Sequence, residues 1–233
     1  MRKIKLFIVV LVCVLGNCSI YSVPIPNEVV SCCDAPRDMF ITMTTKQVDI
    51  NLSVLKSSLL CIDWGDGIIS CHFEEVSQTT QFKIGHFFYL VEMPRTITIY
   101  GVITSLNTNN IGLISIDVTN APSLALLSID NNNLASLDVS KNPLLHLLSF
   151  SRNKIDSLDL TYNQQLVMID CRHNNFSANA LNSLFHSLHA NPPNNTHCRG
   201  RIRKTILIGG NPGTRDSERR IARQKGWGVE NTR

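Results

Sequence analysis

The chain has 233 residues, 43% of them hydrophobic and 17% charged, with a formal net charge of +4. That length gives room for one or two modest domains with real cores. Without the three basic residues that open the chain, 19 basic face 18 acidic residues, about +1, which excludes the strong positive field that nucleic-acid binding requires.

Arg2, Lys3 and Lys5 precede an apolar run from Leu6 to Leu15. Basic residues followed by a short apolar stretch are the layout of a secretory signal peptide over residues 1–18, and the run is too short to span a bilayer. Export is therefore expected, to the cell surface, the outer membrane or the surroundings. Leu15-Gly16-Asn17-Cys18 resembles the lipobox at which a bacterial lipoprotein is cut and acylated, although Asn17 departs from the small residue usual before the cysteine. Lipidation of Cys18 and ordinary cleavage near Ser22 are both open, and a lipid on Cys18 is the only membrane attachment expected. Export permits disulfides among Cys32, Cys33, Cys61, Cys71, Cys171 and Cys198. Cys61 and Cys71 flank a turn and could pair across two strands, whereas Cys171 falls on a core position.

Residues 19–38 hold Pro24, Pro26 and Pro36 without periodicity and read as a linker. Over residues 39–100 the chain turns to short β-rich runs: 40–44, 48–52, 59–64, 68–71 and 96–100. Their alternation and β-branching predict a small antiparallel sheet or sandwich, with Gly65-Asp66-Gly67 as a tight turn. Trp64-Gly65-Asp66-Gly67 with an Ile-Thr-Ile strand downstream resembles the PKD-like β-sandwich domains of exported proteins, although the Gly and Tyr usual before the closing strand are missing. The resemblance implies a spacer or interaction module. Asp63 and Asp66 are read as turn residues, since two carboxylates fall short of the oxygens calcium wants.

From Gly101 the text repeats with a step of 21 residues. Leu124, Leu145 and Leu166 share a column, as do Leu127, Leu148 and Ile169, and Ile129, Phe150 and Cys171. Asn132, Asn153 and Asn174 share another, followed by Leu134, Ile155 and Phe176. Ile116-Asp117-Val118-Thr119 returns as Leu137-Asp138-Val139-Ser140 and Leu158-Asp159-Leu160-Thr161. Ile103, Leu106 and Leu113 make an earlier, weaker copy. The pattern L-x-x-L-x-[LFIC]-x-x-N-x-[LIF] is that of leucine-rich repeats, in which each unit lays down one short strand and stacking buries the shared face. Residues 101–184 are read as this solenoid. Residues 185–233 are read as an α/β cap, entered by a helix from Ala178 to His189, with a strand at Lys204–Ile208, a turn at Gly209–Gly213 and a second helix near Ser217–Lys225.

The wording L-x-S-L-D-[VL]-[ST]-x-N, the preceding W-G-D-G segment and the closing Lys225-Gly226-Trp227-Gly228-Val229 together resemble exported leucine-rich-repeat proteins of the Bacteroidota type. The resemblance implies an envelope or extracellular location and binding of protein or glycan, with no reaction attached. The fold expected is thus mixed β and α/β: a β-sandwich-like domain, then a short solenoid with its cap.

No G-x-S-x-G, H-E-x-x-H or P-loop pattern occurs, so no catalytic residue, cofactor or metal is expected. His186, His189, His197 and Cys198 match no compact zinc spacing and read as surface residues. The nine basic residues between Arg199 and Lys225 read as the solvated face of a cap. A binding face follows from strand alternation: Asn107 and Asn109, Ser128 and Asp130, Ser149 and Ser151, and Asp170 and Arg172 point outward on the concave sheet. Arg152 and His173 come one residue later, at its edge. A protein partner is expected. The alternatives are a glycan, which exposed aromatics would favour and which these rows lack, and an inert envelope spacer.

Overall fold

A computed structural model describes residues 8–14, 17–23, 36–47, 49–56, 60–72, 82–87, 93–191 and 203–231. The chain divides into two units, Met1–Asp34 and Ala35–Arg233. In the first, β1 (Ile8–Val14) pairs antiparallel with β2 (Asn17–Val23), placing Cys13 opposite Cys18. Residues 8–14 of the apolar run form one strand of this pair, as their β-branched content favours. Cys32, Cys33, His197, Cys198, Arg199 and the segment 192–195 lie outside the described residues.

Among the described residues the second unit holds two sheets. β3 (Phe40–Thr45), β5 (Leu60–Asp63), β6 (Ile69–His72) and β8 (Arg95–Tyr100) join β10 (Leu113–Asp117) in a five-stranded sheet of order β10-β3-β8-β5-β6. Alternation puts Ile41, Met43, Ile97 and Ile99 inside. The Trp64 turn behaves as its residues require. Asp63 and Asp66 each accept a backbone N–H two residues on, at 2.9 and 3.0 Å, and buried Trp64 donates to Ser70 Oγ at 2.9 Å. Gly65 has φ +75°, and a Cβ there would lie 2.3 Å from the Thr96 carbonyl oxygen, so only glycine fits. Cys61 and Cys71 face each other across β5 and β6 with sulfurs 2.7 Å apart.

Two strands of the same segment leave this sheet. β4 (Asp49–Lys56) and β7 (Phe82–Phe87) extend the solenoid's sheet instead, where β4 runs antiparallel to β9 (Ile103–Asn107). Residues 39–100 and the first repeat therefore share both sheets and one continuous core.

Beyond β9 the chain climbs in parallel: β11 (Leu126–Ser128), β12 (Leu147–Ser149), β13 (Met168–Asp170), β14 (Thr205–Leu207) and β15 (Gly228–Glu230). The registers Leu127↔Leu148 and Leu148↔Ile169 reproduce the sequence columns. The inward columns are fully buried, each side chain contributing about 1.5–3 kcal/mol.

Two asparagine ladders satisfy the backbone between turns. Asn153 Oδ1 accepts Leu134 N–H at 3.0 Å, while its Nδ2 donates to the Ile129 and Phe150 carbonyls at 2.9 and 3.0 Å. Asn132 and Asn174 make the same set one rung below and above. On the opposite side, Asn142 Nδ2 donates to Val118 O and Ala121 O, and Asn163 Nδ2 to Val139 O and Asn142 O. These amides fill the hydrogen-bonding capacity of buried turns that no strand neighbour reaches.

The ladder does not stop at residue 184. Asn211 Nδ2 donates to Cys171 O and Ile208 O at 2.9 Å, and its Oδ1 accepts Asn174 and Phe176 N–H. Asn211 is thus a further rung, offset from Asn174 by 37 residues because α1 (Ala178–Ser187) is inserted. α1 starts at Ser177, whose hydroxyl accepts Ala180 N–H, and buries Leu181, Leu184 and Phe185 against the stack. The shorter α2 (Arg220–Gln224) packs Ala222 inside.

The last turn is clipped by two lysines. Lys204, 3% exposed, donates from Nζ to the carbonyls of His189, Asn191 and Lys225, 5.3 Å from the Trp227 ring centre. Lys225 donates to those of His186 and Leu188. His189, expected at the surface, is instead buried edge-on against Trp227, because Leu166 O and the Trp227 indole hold its ring and its carbonyl.

Candidate binding face on the parallel sheet

Strand alternation places three rows on the outer face of the parallel sheet. The middle row is Asn107, Ser128, Ser149 and Asp170, in register from strand to strand. The row beyond it, past the strand ends, is Asn109, Asp130, Ser151 and Arg172. These are eight of the ten residues that the sequence nominates, and the fold brings them together.

What the fold does with them differs from the expectation. Asn109 Oδ1 accepts Asp130 N–H at 2.6 Å and Ser128 Oγ–H at 3.1 Å. One rung on, Asp130 accepts Ser151 N–H at 2.6 Å and Ser149 Oγ–H at 2.7 Å. Asn109 and Asp130 thus cap the backbone and hydroxyl of the next unit, and their polar groups are turned along the stack. In the middle row Asn107 and Asp170 accept from their own units: Asn107 from Asn109 N–H at 3.1 Å, and Asp170 from Arg172 N–H at 3.1 Å, with a guanidinium contact at 2.6 Å. That hydrogen bond to Asp170 holds the Arg172 guanidinium above its ordinary pKa, against partial desolvation.

Arg152 and His173 occupy another column. With Asn110, Asn131 and Gly210 they take positive φ, 55° at Arg152 and 53° at His173, where each strand turns away. Glycine and asparagine suit that conformation best, histidine is tolerated there, and arginine is the residue least suited to it. Arg152 is exposed, while the His173 ring lies over Gly210, where a Cβ would come 2.3 Å from Nδ1.

A third row is not among the residues nominated from strand alternation. Leu126, Leu147 and Met168 stand in register on the outer face beside the serines. Leu126 and Met168 are each 41% exposed, Leu147 is half-buried, and Leu144 in the adjoining turn is 42% exposed. The signal was present in the doubled Leu126-Leu127 and Leu147-Leu148, since a period of two sends only one leucine of each pair inward.

In-register parallel strands, buried leucine columns and asparagine ladders define a leucine-rich-repeat solenoid. No family model and no curated protein matches the chain. Among solved structures it is similar to an internalin (InlF) from Listeria monocytogenes, at 18% identity and a TM-score of 0.33, covering 47% of this chain and 36% of that one. It is also similar to the functional domain of InlJ from the same organism, described as including a cysteine ladder. There the identity is 24% and the TM-score 0.26, with 52% and 37% of the two chains covered. The chain spans little more than a third of the length of either structure.

Proposed function

We propose that this chain is an exported, non-enzymatic protein that binds another protein through the outer, concave face of its parallel sheet. The observation that carries the reading is the outward apolar row of exposed Leu126 and Met168 with half-buried Leu147 between them. A sheet that only needed to be soluble would carry polar residues there, and contiguous exposed apolar side chains mark interaction surfaces. Aliphatic and thioether groups suit a protein partner; a glycan would call for aromatic rings, and the three rows contain none. The leader over residues 1–18, with acylation at Cys18 or cleavage near Ser22, places the protein at the cell surface or outside the cell. No helix among the described residues is long and apolar enough to cross a membrane.

The test is a photoreactive amino acid introduced at position 147, and separately at exposed Lys141 as a control on another surface. Protein adducts are expected from position 147 and not from position 141. No adduct from position 147, or equal adducts from both, leaves the envelope-spacer reading in place.

A further inference from the structure

Resting on that reading, we infer that the partner presents an amphipathic α-helix, its aliphatic stripe seated along Leu126, Leu147 and Met168 and a carboxylate on its flank facing Arg152. The spacing of the apolar row matches a helix. The three side chains lie in register on consecutive parallel strands, and strands about 4.8 Å apart place them roughly 0, 5 and 10 Å along the stack. Residues i, i+3 or i+4, and i+7 of a helix fall at about 0, 5 and 10.5 Å along its axis, at 1.5 Å per residue. An extended partner repeats a face about every 6.7 Å, so by its third side chain it is roughly 4 Å out of step.

Access to the strands is closed at their edges. β12 is hydrogen-bonded on both sides, to β11 and to β13. A partner therefore cannot join these strands by adding one of its own, and must lie on the face. The width of the face fits as well. Leu126 and Asp130, or Met168 and Arg172, are four residues apart along the chain, about 13 Å, close to the 10–12 Å diameter of a helix with its side chains.

Charge selects the flank. At the end of the rows the first two units place neutral Asn109, Asn110 and Asn131, while the last two place Arg152, Arg172 and His173. Asp130 is held in the ladder by Ser149 and Ser151, and Asp170 is paired with Arg172. The exposed cation at this corner is Arg152, which a partner carboxylate would meet.

The experiment uses the full chain, labelled with ¹³C at methionine methyls, and two stapled helical peptides with leucines at i, i+4 and i+7. One carries glutamates on a single flank and the other lysines; an unstapled peptide with alternating leucines is the extended control. The glutamate helix is expected to shift the Met168 methyl and to bind about fivefold more tightly than the lysine helix, the upper size of one exposed ion pair. Arg152→Glu reverses that preference, and Leu147→Arg or Met168→Lys abolishes binding while the unfolding midpoint stays in place. The inference is overturned if neither helix binds, if the alternating peptide binds as well, or if Arg152→Glu leaves the preference unchanged. Helix binding lost while adducts from position 147 persist would sink the helix alone. Loss of both would remove the binding face as well.

Discussion

Replacing Asn153 by alanine removes three hydrogen bonds at once, beside a longer 3.3 Å contact to the Ser151 carbonyl, but the damage is smaller than that number implies. The Ile129 carbonyl also accepts from Asn132 at 2.9 Å, and the Phe150 carbonyl from Asn174 at 2.9 Å, so neither is orphaned. Leu134 N–H loses its acceptor inside the protein. An orphaned buried donor costs about 1–3 kcal/mol and each lost second bond about 1, giving roughly 3–5 kcal/mol. Asn211→Ala removes the acceptor of two backbone donors, Asn174 N–H and Phe176 N–H, while Ile208 O keeps the Thr214 hydroxyl. It costs about 1–3 kcal/mol more than Asn153→Ala. For a unit of this size 1 kcal/mol moves the midpoint by about 2–4 °C, so Asn153→Ala is expected to lose roughly 10 °C. Urea unfolding followed by far-UV circular dichroism, with an unchanged slope, measures both variants. A change below about 1 kcal/mol for Asn153→Ala, or an Asn211→Ala variant as stable as Asn153→Ala, would refute the view that shared amides hold the turns together.

His189 gives the stack an acid-sensitive clip. Burial, with Lys204 and Lys225 adding to it against the Leu166 carbonyl bond, holds its imidazole below the ordinary 6.5. Its Nδ1 is buried without a hydrogen-bond partner. A depressed folded pKa means the unfolded chain takes up the proton first, so stability is full above about pH 6.5 and falls as the pH drops below it. Midpoints measured from pH 7.5 downward should show this slope in the wild type and a shallower one in His189→Gln; parallel slopes would contradict it. Cys171 is fully buried, its thiol raised far above the ordinary value by desolvation and donating to Leu207 O at 3.2 Å. Alkylation followed by mass spectrometry should label Cys171 only at the rate of global unfolding, and rapid native-state labelling would count against that burial. At Arg152 the backbone has φ 55°, so Arg152→Gly should stabilise the fold by up to about 1 kcal/mol in urea melts, and a clear loss would show that the side chain supports the turn.

The repeat is legible in the sequence because stacked units need the same side chain at the same place. Leu127, Leu148 and Ile169 record that need directly, and so do the three ladder asparagines. The rung at Asn211 repeats the motif as Ile206-x-Ile208-x-x-Asn211, but the insertion of α1 breaks the step and hides it. Strand alternation in β4 gives a face and not a neighbour, which is why its pairing with β9 rather than within the five-stranded sheet is not readable. The site divides in the same way. Alternation tells which residues of β11 to β13 point outward, but not whether a polar group such as Asp130 reaches into solvent or along the stack to Ser149 and Ser151. Leu126, Leu147 and Met168 were hidden by adjacency to core residues, an apolar pair reading as one core position.

The central claim is a division of labour on one face: the apolar row binds, and the polar row holds the stack. It is tested most directly by measuring Leu147→Arg and Asp130→Ala side by side, for urea stability and for retention of the protein captured from position 147. Leu147→Arg should lose the partner at unchanged stability. Asp130→Ala, which strips the acceptor from Ser151 N–H, should keep the partner and lose about 1–2 kcal/mol. A Leu147→Arg variant that still holds the partner, with binding lost in a fully stable Asp130→Ala, would reverse the assignment and make the polar row the site.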